Sequence, residues 1–255
     1  MQRTPRHVLR NPDSPRYVRA IVKIRLLTFL ILTTSCFAQQ APADLKALEK
    51  KAAEDAAAAQ IAHFKALQKT ADAGDAAAQI ALGLAYDEGR GVEQDRRKAV
   101  EWFQKAAAQG AAEAQFNLGT MYARGTGVKK DDAKAFAFFE KAAEQGSADA
   151  QFNLANMYKE GRGTEKNLSR AITWFDKAGI QGMTRAQYNL GYLYAAGGEG
   201  VPANSVKAYA WLSLAAADGD PGAKKLCDLI WSKATPVQHE TLKKVADDLA
   251  TKIKK

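Results

Sequence analysis

Four stretches of this chain lie over one another: AAAQIALGLAYDEGRGV from Ala76, AEAQFNLGTMYARGTGV from Ala112, ADAQFNLANMYKEGRGT from Ala148 and TRAQYNLGYLYAAGGEGV from Thr184, each 36 residues after the last. Gln79, Gln115, Gln151 and Gln187 share one slot, and Leu82, Leu118, Leu154 and Leu190 a second. Tyr86, Tyr122, Tyr158 and Tyr194 share a third. The repetition continues through Ala99, Ala135, Ala171 and Ala208 and an aromatic slot of Trp102, Phe138, Trp174 and Trp211. Each unit closes at Gly110, Gly146, Gly182 or Gly219, and the fourth carries one extra residue within Gly197-Gly198-Glu199-Gly200. Self-similarity at such a period marks a stack of like supersecondary units.

Each unit reads as two helices. Gln79, Leu82, Gly83 and Tyr86 fall at i, i+3, i+4 and i+7, one face of an α-helix. Gly89, Gly125, Gly161 and Gly197 stand where a left-handed residue ends that helix. Asp95, Asp131, Asn167 and Asn204 are natural N-caps for the second helix. The basic residues three further on, Lys98, Lys134, Arg170 and Lys207, are expected in solvent, and the aromatic slot in the core. Gly83 and Gly119 are expected to let helices approach closely. One helix pair cannot bury both its faces, so the units must stack and share a core. The predicted fold is therefore all-α, a stack of about four 36-residue helix pairs with flanking cap helices.

The flanks fit this frame. Residues 61–74 resemble the second helix of a preceding half-unit, because Gly74 lies 36 before Gly110. Residues 61–219 are read as the repeat region. Residues 39–60, rich in Ala, Lys and Glu, are a helix or a linker. Residues 220–255 are read as a cap: Ala223, Leu226, Cys227 and Ile230 share a helical face, and Thr235-Pro236 with Gln238 forms a capping box for a last helix.

Composition agrees. Of 255 residues 51 are Ala, a strong helix former and a weak strand former. Two cysteines exclude a disulfide-dense scaffold and a four-thiolate metal site. The net charge of +9 is concentrated in residues 1–38, with seven Lys/Arg and one Asp. The remainder interleaves both signs and lacks the dense basic stripe of a nucleic-acid binder.

Residues 1–38 read as a secretory signal peptide. Lys23 and Arg25 flank the short apolar run Leu26, Leu27, Phe29, Leu30, Ile31 and Leu32, too short to span a bilayer, and Cys36-Phe37-Ala38 supplies small residues for cleavage before Gln39. The basic region is long, and a start at Val22 leaves a more ordinary leader. Thr33-Thr34-Ser35-Cys36 weakly resembles a lipobox, so a lipid anchor on Cys36 is the alternative to simple cleavage. No second long apolar segment exists. The mature chain is expected to be periplasmic or secreted, without a transmembrane span.

The pattern AQ-x-x-LG-x-x-Y-x-x-G-x-G-V, followed by KA-x-x-WF-x-KAA-x-x-G, resembles the Sel-one-like repeat family, relatives of tetratricopeptide repeats with a longer internal loop. The resemblance covers about residues 61–235. Departures are modest: Ala155 replaces Gly, Thr164 replaces Val, Gly179 replaces Ala, and the fourth loop is longer. It implies a right-handed α-α superhelix, a curved solenoid that acts as an adaptor or scaffold for proteins. Some secreted relatives with paired cysteines in each unit are linked to β-lactam or cell-wall binding; those pairs are missing here.

Two residues after the repeated Gln, on the opposite helix face, stand Ala81, Asn117, Asn153 and Asn189. The same face carries Thr120 and Arg124, Asn156 and Glu160, then Tyr192 and Ala196. Carboxamides that donate and accept suit the backbone of an extended peptide. Asn117, Thr120, Arg124, Asn153, Asn156, Glu160, Asn189 and Tyr192 are therefore the candidate peptide-binding residues. The competing reading is that the asparagines bond to neighbouring helices and support the repeat.

Catalytic signals are weak. His63 falls in the Ala99 slot, at a packed position or a helix edge, and His239 in an exposed first turn; neither has metal-ligand spacing. No nucleophile elbow or S-x-x-K motif appears. Gly89-Arg90-Gly91 lies between helices, not after a strand, and is repeat punctuation rather than a phosphate loop. Cys227 reads as a small core residue. No catalytic residue, cofactor or metal is assigned. The expected function is an exported, non-enzymatic adaptor that binds a protein or peptide in the bacterial cell envelope. A cell-wall or β-lactam-hydrolysing enzyme is the alternative.

Overall fold

The computed structural model describes residues 41–253, and every regular element among them is an α-helix. In order these are α1 (Ala41–Asp72), α2 (Ala76–Glu88), α3 (Arg96–Ala108), α4 (Ala112–Arg124), α5 (Asp132–Glu144), α6 (Ala148–Glu160), α7 (Leu168–Ile180), α8 (Thr184–Ala196), α9 (Ser205–Ala217), α10 (Pro221–Lys233) and α11 (Pro236–Ile253). The leader and Cys36 lie outside the described residues. The chain divides into two units, Met1–Ala58 and Ala59–Lys255, within α1. In the first, the stretch from Ala41 is helical, with Leu45 and Leu48 exposed and a solvated Lys50–Glu54 ion pair at 3.8 Å. None of the described helices is long and apolar enough to cross a membrane.

The second unit is a stack of helix pairs: α2 with α3, α4 with α5, α6 with α7, α8 with α9. Each second helix also packs on the first helix of the next pair, and α9 packs on α10 in the same way. The last helix, α11, turns back onto α9. The all-α repeat architecture read from the sequence is therefore the observed one.

Local sequence dictates the breaks. Asp95, Asp131, Asn167 and Asn204 cap the second helices by accepting the backbone N–H three residues on. The bond from the Lys98 N–H holds the Asp95 carboxyl below its ordinary pKa. Gly89, Gly125 and Gly161 end the first helices in the left-handed region, with φ of 72°, 74° and 71°. Gly197 departs from the expected cap. Its φ is 66° but its ψ is −170°, because the inserted residue opens the loop into an isolated Gly198–Val201 bridge. At the C-terminus Thr235 and Gln238 bond reciprocally, N–H to side chain in both directions.

Within each pair the core is made by the Leu slot and the residue following the aromatic slot. Leu82, Leu118, Leu154 and Leu190 have no exposed surface, and Phe103, Phe139, Phe175 and Leu212 are at most 3% exposed. Burial of each such side chain contributes roughly 1.5–3 kcal/mol. Gly83 and Gly119 serve as expected: a Cβ there would lie 2.7 Å from the Phe103 or Phe139 ring. The aromatic slot is less uniform than expected. Trp102 and Trp211 are buried, while Phe138 and Trp174 are half-buried. The basic residues expected in solvent are exposed, and each also makes a contact that the sequence did not show. Lys98, Lys134, Arg170 and Lys207 lie 5.2–5.5 Å over the rings of Tyr86, Tyr122, Tyr158 and Tyr194, a cation–π contact within each pair.

Between pairs, two contacts recur. The buried glutamines reach back eight residues: Gln79, Gln151 and Gln187 donate to the carbonyls of Ala71, Ala143 and Gly179. The oxygens of Gln79, Gln115 and Gln151 in turn accept from Gln109, Gln145 and Gln181 at 2.7–2.8 Å. The second contact is at the loops, where Gly91, Gly127 and Gly163 press on the backbone carbonyls of Gln60, Arg96 and Asp132. Gln60, Arg96 and Asp132 are themselves 36 residues apart. The end of α1 thus receives α2 as α3 receives α4.

The fourth junction lacks one partner. Asp218 stands where the first three units have Gln, accepts from Thr184 Oγ1, and cannot donate; Gln187 Oε1 is left buried without a hydrogen bond. Asp218→Gln is expected to raise stability by about 1 kcal/mol, or about 2–4 °C in Tm, as read by thermal and urea unfolding. An unchanged Tm would show that the orphan oxygen costs nothing. At the loops, Gly163→Ala must open a backbone contact, whereas Gly146, with φ 94°, has open space beside it. Gly146→Ala is expected to cost about 1–2 kcal/mol for the left-handed residue alone, and Gly163→Ala at least about 3 kcal/mol. Equal losses in urea titrations would contradict the loop contact.

Candidate functional site

A cleft of about 500 Å³ opens between α4 and α6. α4 presents Asn117, Thr120 and Arg124 to it, and α6 presents Asn153. Phe116 and Phe152 come from the same two helices, and Phe139 of α5 closes the floor. Arg162, past the end of α6, and Arg185, in the first turn of α8, reach in beside Asp149. The helical wheel explains the arrangement. Gln115 and Asn117 are two residues apart, so the face that buries glutamine at a junction turns asparagine outward.

Side-chain bonding divides the candidates. Among the described residues, neither Asn117 nor Asn153 makes a side-chain hydrogen bond within the chain, and both are half-buried. Thr120 donates back to the Phe116 carbonyl at 3.1 Å. Asn156 donates to the Phe152 carbonyl at 3.0 Å, and Asn189 to that of Arg185 at 2.8 Å. Asn189 also accepts from Lys159 at 3.3 Å, a bond across to the preceding unit. The asparagine row therefore divides: Asn189 is tied to its neighbours, whereas Asn117 and Asn153 make no side-chain hydrogen bond among the described residues.

Four of the eight candidates, Asn117, Thr120, Arg124 and Asn153, share this cleft; Asn156, Glu160, Asn189 and Tyr192 are not among its lining residues. Glu160 pairs with Arg162 at 3.7 Å. Tyr192 is 51% exposed and stacks on Tyr188 at 6.5 Å. The sequence reading did not include Phe116, Phe152, Arg162 or Arg185. Phe116 and Phe152 precede the asparagines directly and form a small aromatic repeat of their own. Arg162 and Arg185 lie outside the asparagine slots: Arg162 recurs only as Arg90, in a loop read as punctuation, and Arg185 has no basic counterpart in the other units.

The arginines differ in commitment. Arg162 is also near Asp132, at 3.9 Å, and is shared between two carboxylates. Arg185 rests on the Phe152 ring at 5.2 Å, and neither it nor Arg124 has a carboxylate partner among the described residues.

The remaining reactive groups lie apart from the cleft. His63 is exposed. His239 is not in the open first turn expected for it. It stacks on Trp231 at 3.8 Å and 5° and bonds to the Trp231 carbonyl through Nε2, because α11 starts close beside the end of α10. Cys227 is buried near Ser213, and burial pushes its thiol above the ordinary pKa. Among the described residues no three His, Cys, Asp or Glu side chains form a metal-holding group.

If the free asparagines serve a ligand and not the fold, Asn117→Ala with Asn153→Ala is expected to change stability by less than about 0.5 kcal/mol in urea. A loss above about 1 kcal/mol would return these residues to a structural role.

A family profile described as Sel1 repeat matches four times, at residues 76–110, 112–147, 148–183 and 184–220. Among solved structures the chain is similar to a Sel1 repeat protein from Oxalobacter formigenes, at 34% identity over 75% of this chain and 79% of that one, with a TM-score of 0.61. It is also similar to a protective antigen of uropathogenic Escherichia coli strains that displays an SLR fold. There the identity is 28%, over 76% of this chain and 49% of that one, with a TM-score of 0.47. No curated protein matches the chain significantly.

Proposed function

The chain belongs to the Sel1 repeat family, a fold of interaction scaffolds, and we propose that it is an exported adaptor that holds a protein segment in the cleft between α4 and α6. The observation that carries this is the pair Asn117 and Asn153, half-buried in the cleft with both amides unspent. An amide can donate to a peptide carbonyl and accept from a peptide N–H at the same time, so two in line can hold an extended backbone. The surrounding helices are fixed by the stack, so the scaffold loses little freedom on binding.

The place of action follows from the first 38 residues. A basic flank, an apolar run and small residues before Gln39 favour export through a bacterial inner membrane, with cleavage at Ala38 or a lipid on Cys36. After cleavage at Ala38, Cys227 has no cysteine left to pair with. On this reading the chain binds and presents a partner in the periplasm or cell envelope and performs no chemistry of its own.

The test is a pull-down from envelope extract with residues 39–255 as bait, beside the Asn117→Ala/Asn153→Ala variant with matched unfolding curves. A partner retained by the wild type and depleted at least about tenfold by the variant, roughly 1.4 kcal/mol, is the expected result. Equal retention would move the binding surface elsewhere on the molecule.

A further inference from the structure

We infer that the segment held between α4 and α6 is acidic, an extended stretch of about four residues carrying Asp or Glu side chains. This rests on the peptide-cleft reading and adds a charge to it. Residues 41–253 are almost balanced, with 28 Lys and Arg against 27 Asp and Glu. The cleft is not: it gathers Arg124, Arg162 and Arg185 against Asp149.

Two of these guanidiniums are uncommitted. Arg162 is shared between Glu160 and Asp132, but Arg124 and Arg185 meet no carboxylate among the described residues. Arg185 lies over the Phe152 ring at 5.2 Å, and its N–H groups meet no carboxylate among the described residues. A guanidinium of this kind matches a carboxylate in two parallel hydrogen bonds, and because Arg124 and Arg185 are exposed the attraction is strongest at low salt.

The length follows from helix geometry. From Phe116 to Arg124 the wall spans about 12 Å of helix axis, the reach of about four extended residues. Successive side chains of such a segment alternate. One set can meet the arginines while the backbone lies on the asparagine amides. The chain's own first 38 residues, with seven Lys/Arg and one Asp, have the wrong sign to occupy the cleft.

The probes are three fluorescein-labelled hexapeptides: Glu-Ala repeated three times, and its Gln-Ala and Lys-Ala counterparts. Titrated by anisotropy in low salt, the Glu peptide is expected to bind at least tenfold more tightly than the Gln peptide, with the Lys peptide weakest. Arg124→Gln with Arg185→Gln is expected to remove that advantage, so that the Glu and Gln peptides bind the variant equally. Lys129→Gln with Lys130→Gln, outside this cleft, is expected to leave the preference intact. Equal binding of the Glu and Gln peptides to the wild type, lost on Asn117→Ala/Asn153→Ala, overturns the acidic inference and leaves the peptide cleft standing. A Glu preference that survives loss of both arginines overturns the assignment to this cleft. Failure of all three peptides to bind overturns the inference and the cleft together.

Discussion

Stacked helix pairs create junctions from which water is excluded, and a polar group left there must find a partner or cost free energy. The buried glutamine at the start of each first helix lies at such a junction. Gln79, Gln115, Gln151 and Gln187 are at most 5% exposed. Three of their amides, those of Gln79, Gln151 and Gln187, donate to the end of the preceding helix, and three of their oxygens accept from a glutamine at the end of their own pair. Hydrophobic contacts bring helices together but tolerate sliding, because burial is proportional to area and has no direction. The carboxamide bonds do not tolerate it. A shift by one residue would leave several buried polar atoms unpaired, each costing roughly 1–3 kcal/mol. The loop glycines add a steric stop to this directional lock, since they seat on the backbone at the start of the preceding second helix.

This lock was only partly legible in sequence. The period, the helix boundaries and the core slots could be read, since 3.6-residue spacing, capping residues and glycines each have a local cause. The repeated Gln was visible as a slot, but periodicity assigns a slot to a face and not to a bond. The partner glutamines Gln109, Gln145 and Gln181 sit just before the closing glycine, where polar residues are unremarkable. The tyrosine–cation contacts were hidden for a similar reason. Lys98 and Tyr86 are 12 residues apart on different helices, and the sequence shows two unrelated positions that recur together. His239 was misplaced because its environment depends on Trp231 of α10, a contact that helix-wheel reasoning within α11 does not contain.

The cleft shows the same division. Asn117, Thr120, Arg124 and Asn153 could be named because they lie on one face of repeated helices. Arg162 and Arg185 reach the cleft from outside that face, Arg162 from past the end of α6 and Arg185 from the next pair. Repetition within a chain reveals what every unit shares. A ligand site that depends on what one unit lends to its neighbour has no counterpart in the others, and its charge emerges only when the pairs are stacked.

That asymmetry separates stability from specificity along each first helix. One face repeats with little change because every junction poses the same packing problem: Gln, Leu, a small residue, Tyr. The opposite face drifts from unit to unit, from Ala81 to Asn117, Asn153 and Asn189, and from Thr120 to Asn156 and Tyr192. Apart from the bond from Lys159 to Asn189, the stack does not tie these residues to one another, so they are free to vary with a partner. Substitutions on the drifting face can change what is bound with small effects on the fold. A change in the repeated face disturbs a junction, and because each pair contacts only its neighbours, that disturbance reaches the cleft by loosening the spacing of α4 and α6 rather than by altering its chemistry.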